Sequence, residues 1–169
     1  MVTDLEAGRQ VLEPPAGKMV GNEPLLDRRP RGDVRQRRLK RILLVDDDPD
    51  IVRLLTMTLQ PEGFRLLSAS DGNAALDIAR AERPDLLLLD WNMPGRDGLE
   101  VCRTLRAESD PGLCNVPVVL LTAQTGAEDT AAGFAAGVTD YVTKPFSPAH
   151  IRARVHAWLR RKRAGAEGT

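Results

Sequence analysis

The stretch Pro84-Asp85-Leu86-Leu87-Leu88-Leu89-Asp90-Trp91-Asn92-Met93-Pro94-Gly95-Arg96-Asp97-Gly98 decides the fold. Four leucines in a row leave no side of the segment for water. Bounded by turn signals, such a run reads as a strand buried on both faces of a parallel sheet. The run ends in one carboxylate, Asp90. A loop with Pro94 and Gly95 follows, and Asp97 stands where a helix N-cap would stand. A charged group thus lies at the carboxyl end of a central strand, where open α/β sheets place their ligands.

Outward from this stretch the chain alternates regularly. Ile42-Leu43-Leu44-Val45 reads as a buried strand that runs into Asp46-Asp47-Asp48. Pro49 opens a helix at its first turn, with Ile51, Leu54, Leu55, Thr58 and Leu59 at helical spacing and Pro61-Glu62-Gly63 at its end. Phe64 to Ser68 reads as a second strand, and Asp71 caps a helix carrying Ala74, Ala75, Ile78 and Ala79. Beyond Asp97, Leu99, Cys102 and Leu105 mark a third helix, and Asp110-Pro111-Gly112 falls in a polar loop. Val116 to Leu121 is a fourth strand, closed by Thr122. Glu128 to Ala136 is a weakly amphipathic, Ala-rich helix, and Thr139 to Val142 a short fifth strand. After Lys144-Pro145-Phe146, a last helix from Ser147 to about Arg161 carries Ile151, Val155, Trp158 and Leu159. Five strands alternating with five helices predict a doubly wound α/β domain with a parallel sheet.

Right-handed crossovers would point all five strand ends the same way. Asp46 and Asp47, Asp90, Thr122 and Lys144 would then gather at one edge. Three carboxylates close together resist ionising. A divalent cation removes that conflict, and a hard-oxygen donor set suits Mg²⁺ or Mn²⁺. His150 and His156 fall in the last helix, away from the strand ends, so an imidazole site is set aside. A carboxylate, a metal, an ammonium and a hydroxyl together make a phosphoryl site, in which a carboxylate can itself accept the group.

Four motifs occur in order: Val45-Asp46-Asp47-Asp48-Pro49, Leu89-Asp90-Trp91-Asn92-Met93-Pro94, Leu121-Thr122-Ala123 and Tyr141-Val142-Thr143-Lys144-Pro145-Phe146. Over residues 40 to about 162 the sequence resembles the receiver domain of two-component response regulators, of the chemotaxis-regulator type. The resemblance implies a flavodoxin-like sheet of order 2-1-3-4-5. It implies Asp90 as phosphoacceptor and Asp47 as direct metal ligand. Asp46 would act on the metal through water, and Asn92 would give its backbone carbonyl. Lys144 would pair with the phosphoryl oxygens and Thr122 would move onto them. Tyr141 would be the aromatic switch that follows Thr122. Asn92 and Gln124 would flank the path of the hydrolytic water, and the Lys144-Pro145 peptide would be cis. The phosphoryl donor would be a sensor histidine kinase or a phosphotransfer protein. Output would pass to a protein partner or a second copy, through the fourth helix, fifth strand and fifth helix. The domain would assist only its own phosphorylation and dephosphorylation and turn over no separate substrate.

The remaining segments are less informative. Residues 1–39 carry Pro14, Pro15, Pro24 and Pro30 with few apolar residues, and read as a disordered extension with a basic end. Residues 163–169 read as a tail. The 24 basic residues equal the 24 acidic ones, so bulk charge gives no reason to expect nucleic acid. No DNA-binding effector domain is expected within the chain. The N-terminus lacks the pattern of a secretory signal, and no apolar run reaches the roughly 18 residues of a membrane span. Cys102 and Cys114 have no metal-ligand spacing, and a cytoplasmic setting is expected. Two rival readings stay open. One is a haloacid-dehalogenase-like phosphohydrolase, whose Asp-x-Asp spacing occurs in Asp46-Asp47-Asp48 although its following Gly-Thr does not. The other is a nucleic-acid-binding protein acting through the arm that includes Arg28, Arg29, Arg31, Arg35, Arg37 and Arg38.

Overall fold

The computed structural model of the chain describes residues 38–123 and 126–164, the side chains of 162–164 apart. The expected extension, up to residue 37, lies outside the described residues, as do Gln124 and the tail from 165. Five strands form one parallel sheet: β1 (Arg41–Val45), β2 (Arg65–Ala69), β3 (Leu86–Asp90), β4 (Val118–Thr122) and β5 (Asp140–Thr143). Their order is β2-β1-β3-β4-β5. Six helices connect and follow them: α1 (Pro49–Leu59), α2 (Gly72–Glu82), α3 (Gly98–Arg106), the short α4 (Pro111–Cys114), α5 (Ala127–Ala135) and α6 (Pro148–Ala164).

The leucine run explains the layering. Leu86 and Leu88 point into one core with Ile42, Leu44, Val119 and Leu121, closed by Leu55 and Leu59 of α1 and Ile151, Val155 and Leu159 of α6. Leu87 and Leu89 point into the other with Leu43, Val45, Val118 and Leu120, closed by α2 and α3. Every residue of β3 and β4 is buried. Full burial of one such leucine is worth about 1.5–3 kcal/mol, so β3 anchors both layers.

Local chemistry starts the helices where the sequence suggests. Asp48 caps α1 through the Asp50 amide, 2.9 Å, ahead of Pro49 in its first turn. Asp71 accepts from the Ala74 amide at the head of α2. Asp97 and Glu100 form a reciprocal capping box on α3. The segment expected as a polar loop contains α4 instead, with Pro111 in its first turn and Asp110 as its cap. Four residues are too few to show a helical period. Strand ends shift by one or two residues from their expected places, and α6 runs to Ala164 rather than Arg161.

The register brings the strand ends level. Val45 pairs with Leu89, Asp90 with Leu121, and Thr122 with Thr143. At the opposite edge of the sheet, buried Asp85 accepts from Arg38, Lys40 and the Arg41 amide. Those bonds tie residues 38–41 to the amino end of β3.

Candidate functional site

At the carboxyl edge of the sheet, three carboxylates share one small volume. A carboxylate oxygen from each of Asp46, Asp47 and Asp90 lies within 4.8 Å of the others. Asp46 is 2% exposed and Asp90 6%, whereas Asp47 is exposed. β1 delivers the first two because its apolar run stops at Val45. β3 delivers Asp90 as its last residue.

Lys144 enters from the loop after β5, and its peptide to Pro145 is cis. Its Nζ donates to Asp46 Oδ2 and to Asp90 Oδ1, each at 2.9 Å. Its amide donates to the Thr122 carbonyl at 2.8 Å, which fixes the loop on the end of β4. Asp46 is further held by the Asp48 amide, 2.9 Å. The pairing of Lys144 with Asp46 has no counterpart in the sequence reading, which reserved Lys144 for phosphoryl oxygens. The two residues stand 98 apart in the chain, and no local pattern joins them.

The loop after β3 turns back tightly. The Gly98 amide donates to the Trp91 carbonyl at 2.9 Å. A Cβ at Gly98 would stand 2.5 Å from the Asp90 carbonyl oxygen and 3.1 Å from Leu120. Only glycine lets α3 begin this close to the end of β3. The sequence reading did not single out Gly98, although Asp-Gly after a strand is the signal that marks it.

Electrostatics follow from burial and neighbours. Burial pushes Asp90 above the ordinary carboxylate range, Asp46 and Asp47 push the same way, and Lys144 opposes them. For Lys144, burial weighs against the ammonium. The hydrogen bonds to Asp46 and Asp90 outweigh it and raise the group above its usual value. With all four groups ionised, three carboxylates against one ammonium leave a formal charge of −2 in the cluster. Oxygen donors at this spacing with this charge fit a divalent cation of the Mg²⁺ class. Asn92 lies on the loop beside them and is exposed.

A cavity of about 390 Å³ opens beside Asp46 and Asp47, lined also by Pro49, Val52, Ser68 and Ala74. A larger one of about 570 Å³ lies between Asn73, Arg96 and Arg103 and contains none of the three clustered carboxylates.

Thr122 is buried at the end of β4, one residue beyond the partner of Asp90 in the register. Tyr141 stands on β5 with its ring 6.2 Å from that of Trp91 and 5.3 Å, edge-on, from that of Phe134. Its hydroxyl donates to the Thr130 carbonyl of α5 at 3.0 Å. Burial raises the Tyr141 phenol, and Cys102 and Asp129 act in the same direction. Sequence reasoning gave no role to Trp91, which directly follows Asp90, is buried and brings its ring near that of Tyr141.

Residues 42–156 match the response regulator receiver domain family. The chain belongs to that family. The DNA-binding response regulator MtrA of Mycolicibacterium smegmatis is 49% identical over 122 residues, which is 72% of this chain and 51% of that protein. The alkaline phosphatase synthesis transcriptional regulatory protein PhoP of Bacillus subtilis is 44% identical over 127 residues, 75% of this chain and 51% of that one. The chain therefore spans about half the length of the curated relatives it matches. Among solved structures, the chemotaxis response regulator CheY4 of Vibrio cholerae superposes with a TM-score of 0.67 at 32% identity. That match covers 71% of this chain and 98% of CheY4. The receiver fold expected from the four motifs is the fold found, with its strand order. Receiver membership also removes the ground for a haloacid-dehalogenase reading. The expectation against nucleic acid is a different matter. Relatives of this receiver are by name DNA-binding regulators, and they lend that expectation no support. Among the described residues no helix is long and apolar enough to cross a membrane.

Proposed function

We propose that this receiver is a phosphorylation-controlled switch in which Asp90 accepts a phosphoryl group from a phosphohistidine of a sensor kinase or phosphotransfer protein. The observation that carries the reading is the shared lysine. Lys144 reaches Asp46 and Asp90 at equal distance, with Asp47 completing the oxygen cluster beside them. An Asp90 carboxylate oxygen attacks phosphorus as the bond from phosphorus to the histidine nitrogen breaks. The departing imidazole takes up a proton.

Asp47 and Asp90 would hold Mg²⁺ directly, with the Asn92 carbonyl and a water on Asp46. The ion, when bound, neutralises charge on the entering oxygens. Lys144 releases Asp90 and pairs with the phosphoryl group while keeping Asp46. Thr122 supplies a hydroxyl to a second phosphoryl oxygen. These contacts exist in one conformer only, so phosphorylation shifts an existing equilibrium. The domain acts on its own phosphorylation state and turns over no separate substrate. It works in the cytoplasm, where its donors act.

The output surface is α5, β5 and α6, which Thr122 and Tyr141 adjoin. On it, Asp140 accepts from Arg154 at 2.7 Å and from Trp158 at 3.0 Å, and Phe134 is 55% exposed. A protein partner or a second copy docks there. The names of the relatives favour control of a DNA-binding activity as the purpose of that contact.

Labelling by acetyl phosphate tests the assignment. The protein should be labelled in Mg²⁺ and not in a chelator, Asp90→Asn should abolish labelling, and Asp47→Ala should weaken it. Metal-dependent labelling of Asp90→Asn at the unmodified rate would overturn it.

A further inference from the structure

Helix α5 is attached to the domain in an unusual way. Of its nine residues only Gly133 is buried, and its N-cap, Gly126, makes no side-chain capping bond. Its one large apolar side chain, Phe134, is mostly exposed. No apolar stripe holds this helix to the sheet.

Tyr141 takes the place of that stripe. Its hydroxyl donates to the Thr130 carbonyl. A Cβ built on Gly133 would stand 1.5 Å from the hydroxyl oxygen, 2.6 Å from Cζ and 3.2 Å from Cε1. Carbon contacts end near 3.5 Å, so the phenol occupies the space that any other residue at 133 would fill. Helix geometry explains the coincidence. A Cβ tilts toward the N-terminus and covers the turn before it. The missing Cβ of Gly133 therefore uncovers the Thr130 carbonyl, three residues back, and the phenol lies in the gap. A glycine inside a helix is ordinarily unfavourable relative to alanine, and here the side chain of another element uses the space it leaves.

We propose that Gly133 and the Thr130 carbonyl form a seat for the Tyr141 hydroxyl, and that occupancy of this seat sets the position of α5. Gly133 is thus a positioning residue for the switch. This rests on the reading of Tyr141 as part of that switch. When Thr122 is drawn toward a phosphorylated Asp90, Tyr141 changes its place against α5, and the helix follows because little else holds it. The specificity lies at one backbone position: alanine at 133 would remove the seated state and leave the acceptor cluster untouched.

A double-substitution cycle in the whole chain tests the seat. Gly133→Ala should lower the thermal midpoint when Tyr141 is present. The same change in a Tyr141→Ala background should raise it, because the ring is gone and alanine favours the helix. Equal effects in both backgrounds would overturn the seat. The coupling is read by amide exchange across α5 with and without beryllofluoride and Mg²⁺. Tyr141-containing protein with Gly133 should show a change over 127–136, and Gly133→Ala should lose most of it while acetyl phosphate still labels Asp90. A Gly133→Ala protein whose α5 responds in full would overturn the coupling. An unsubstituted protein that is labelled at Asp90 but shows no exchange change in α5 would overturn the output face itself and the coupling with it. The thermal cycle judges the seat separately.

Discussion

Asp46 and Asp90 are two buried carboxylates that would repel each other, and the ammonium of Lys144 between them is what lets both sit in the folded chain. Removing one partner of a buried charged network leaves the others uncompensated. Lys144→Gln should therefore lower the thermal midpoint in metal-free buffer, and added Mg²⁺ should restore part of the loss. It should also slow acetyl phosphate labelling by about 100-fold, the loss common for one preorganised charge donor. Undiminished labelling would remove Lys144 from the chemistry. Cys102 gives a second test at this scale. It is fully buried, and burial raises its thiol, with Arg106 and Arg103 opposing. A raised pKa leaves less thiolate at any pH below it, and the thiolate is the reactive form. At pH 8 a thiol reagent should modify half-buried Cys114 and spare Cys102 until the protein is denatured. Single residues at strand ends were legible in the sequence because each stops an apolar run. Their partners were not: Lys144 with Asp46, and Arg38 with Asp85, meet only through the fold.

At the scale of elements, the helix starts were written locally. Asp48, Asp71 and Asp97 each cap the helix they precede. The weak periodicity of α5 was also visible in the sequence, but its cause was not, since a glycine covered by a tyrosine carries no hydrophobic signal. The turn after α5, at Gly137, is fastened by a side chain from another helix. Arg106 of α3 donates to the carbonyls of Gly137 at 3.0 Å, Cys114 at 3.0 Å and Val116 at 2.8 Å. One guanidinium thus joins α3, the end of α4 and the turn into β5. Arg106→Met leaves three carbonyls without this donor and should lower unfolding stability by about 1.5–3 kcal/mol. Urea unfolding reads that loss, and amide exchange should quicken most at 136–138. A change within the experimental error would show that water replaces the guanidinium without penalty.

The whole molecule depends on β3 in two ways: its leucines fill both cores, and its last residue is the candidate acceptor. Leu88→Ala should destabilise the domain by about 2–5 kcal/mol, seen as a lower urea midpoint with the cooperative slope retained. The same strand order that makes the cores places Asp46, Asp90, Thr122 and Lys144 at one edge. Fold and site were therefore legible together, because right-handed crossovers bring parallel strand ends to one side. The most direct measurement is to locate the phosphoryl group itself. After acetyl phosphate and Mg²⁺, borohydride reduces an aspartyl phosphate to homoserine, and peptide mass mapping finds the converted residue. The account requires homoserine at position 90 and at neither 46 nor 47. Conversion at Asp46 or Asp47, with Asp90 intact, would contradict it.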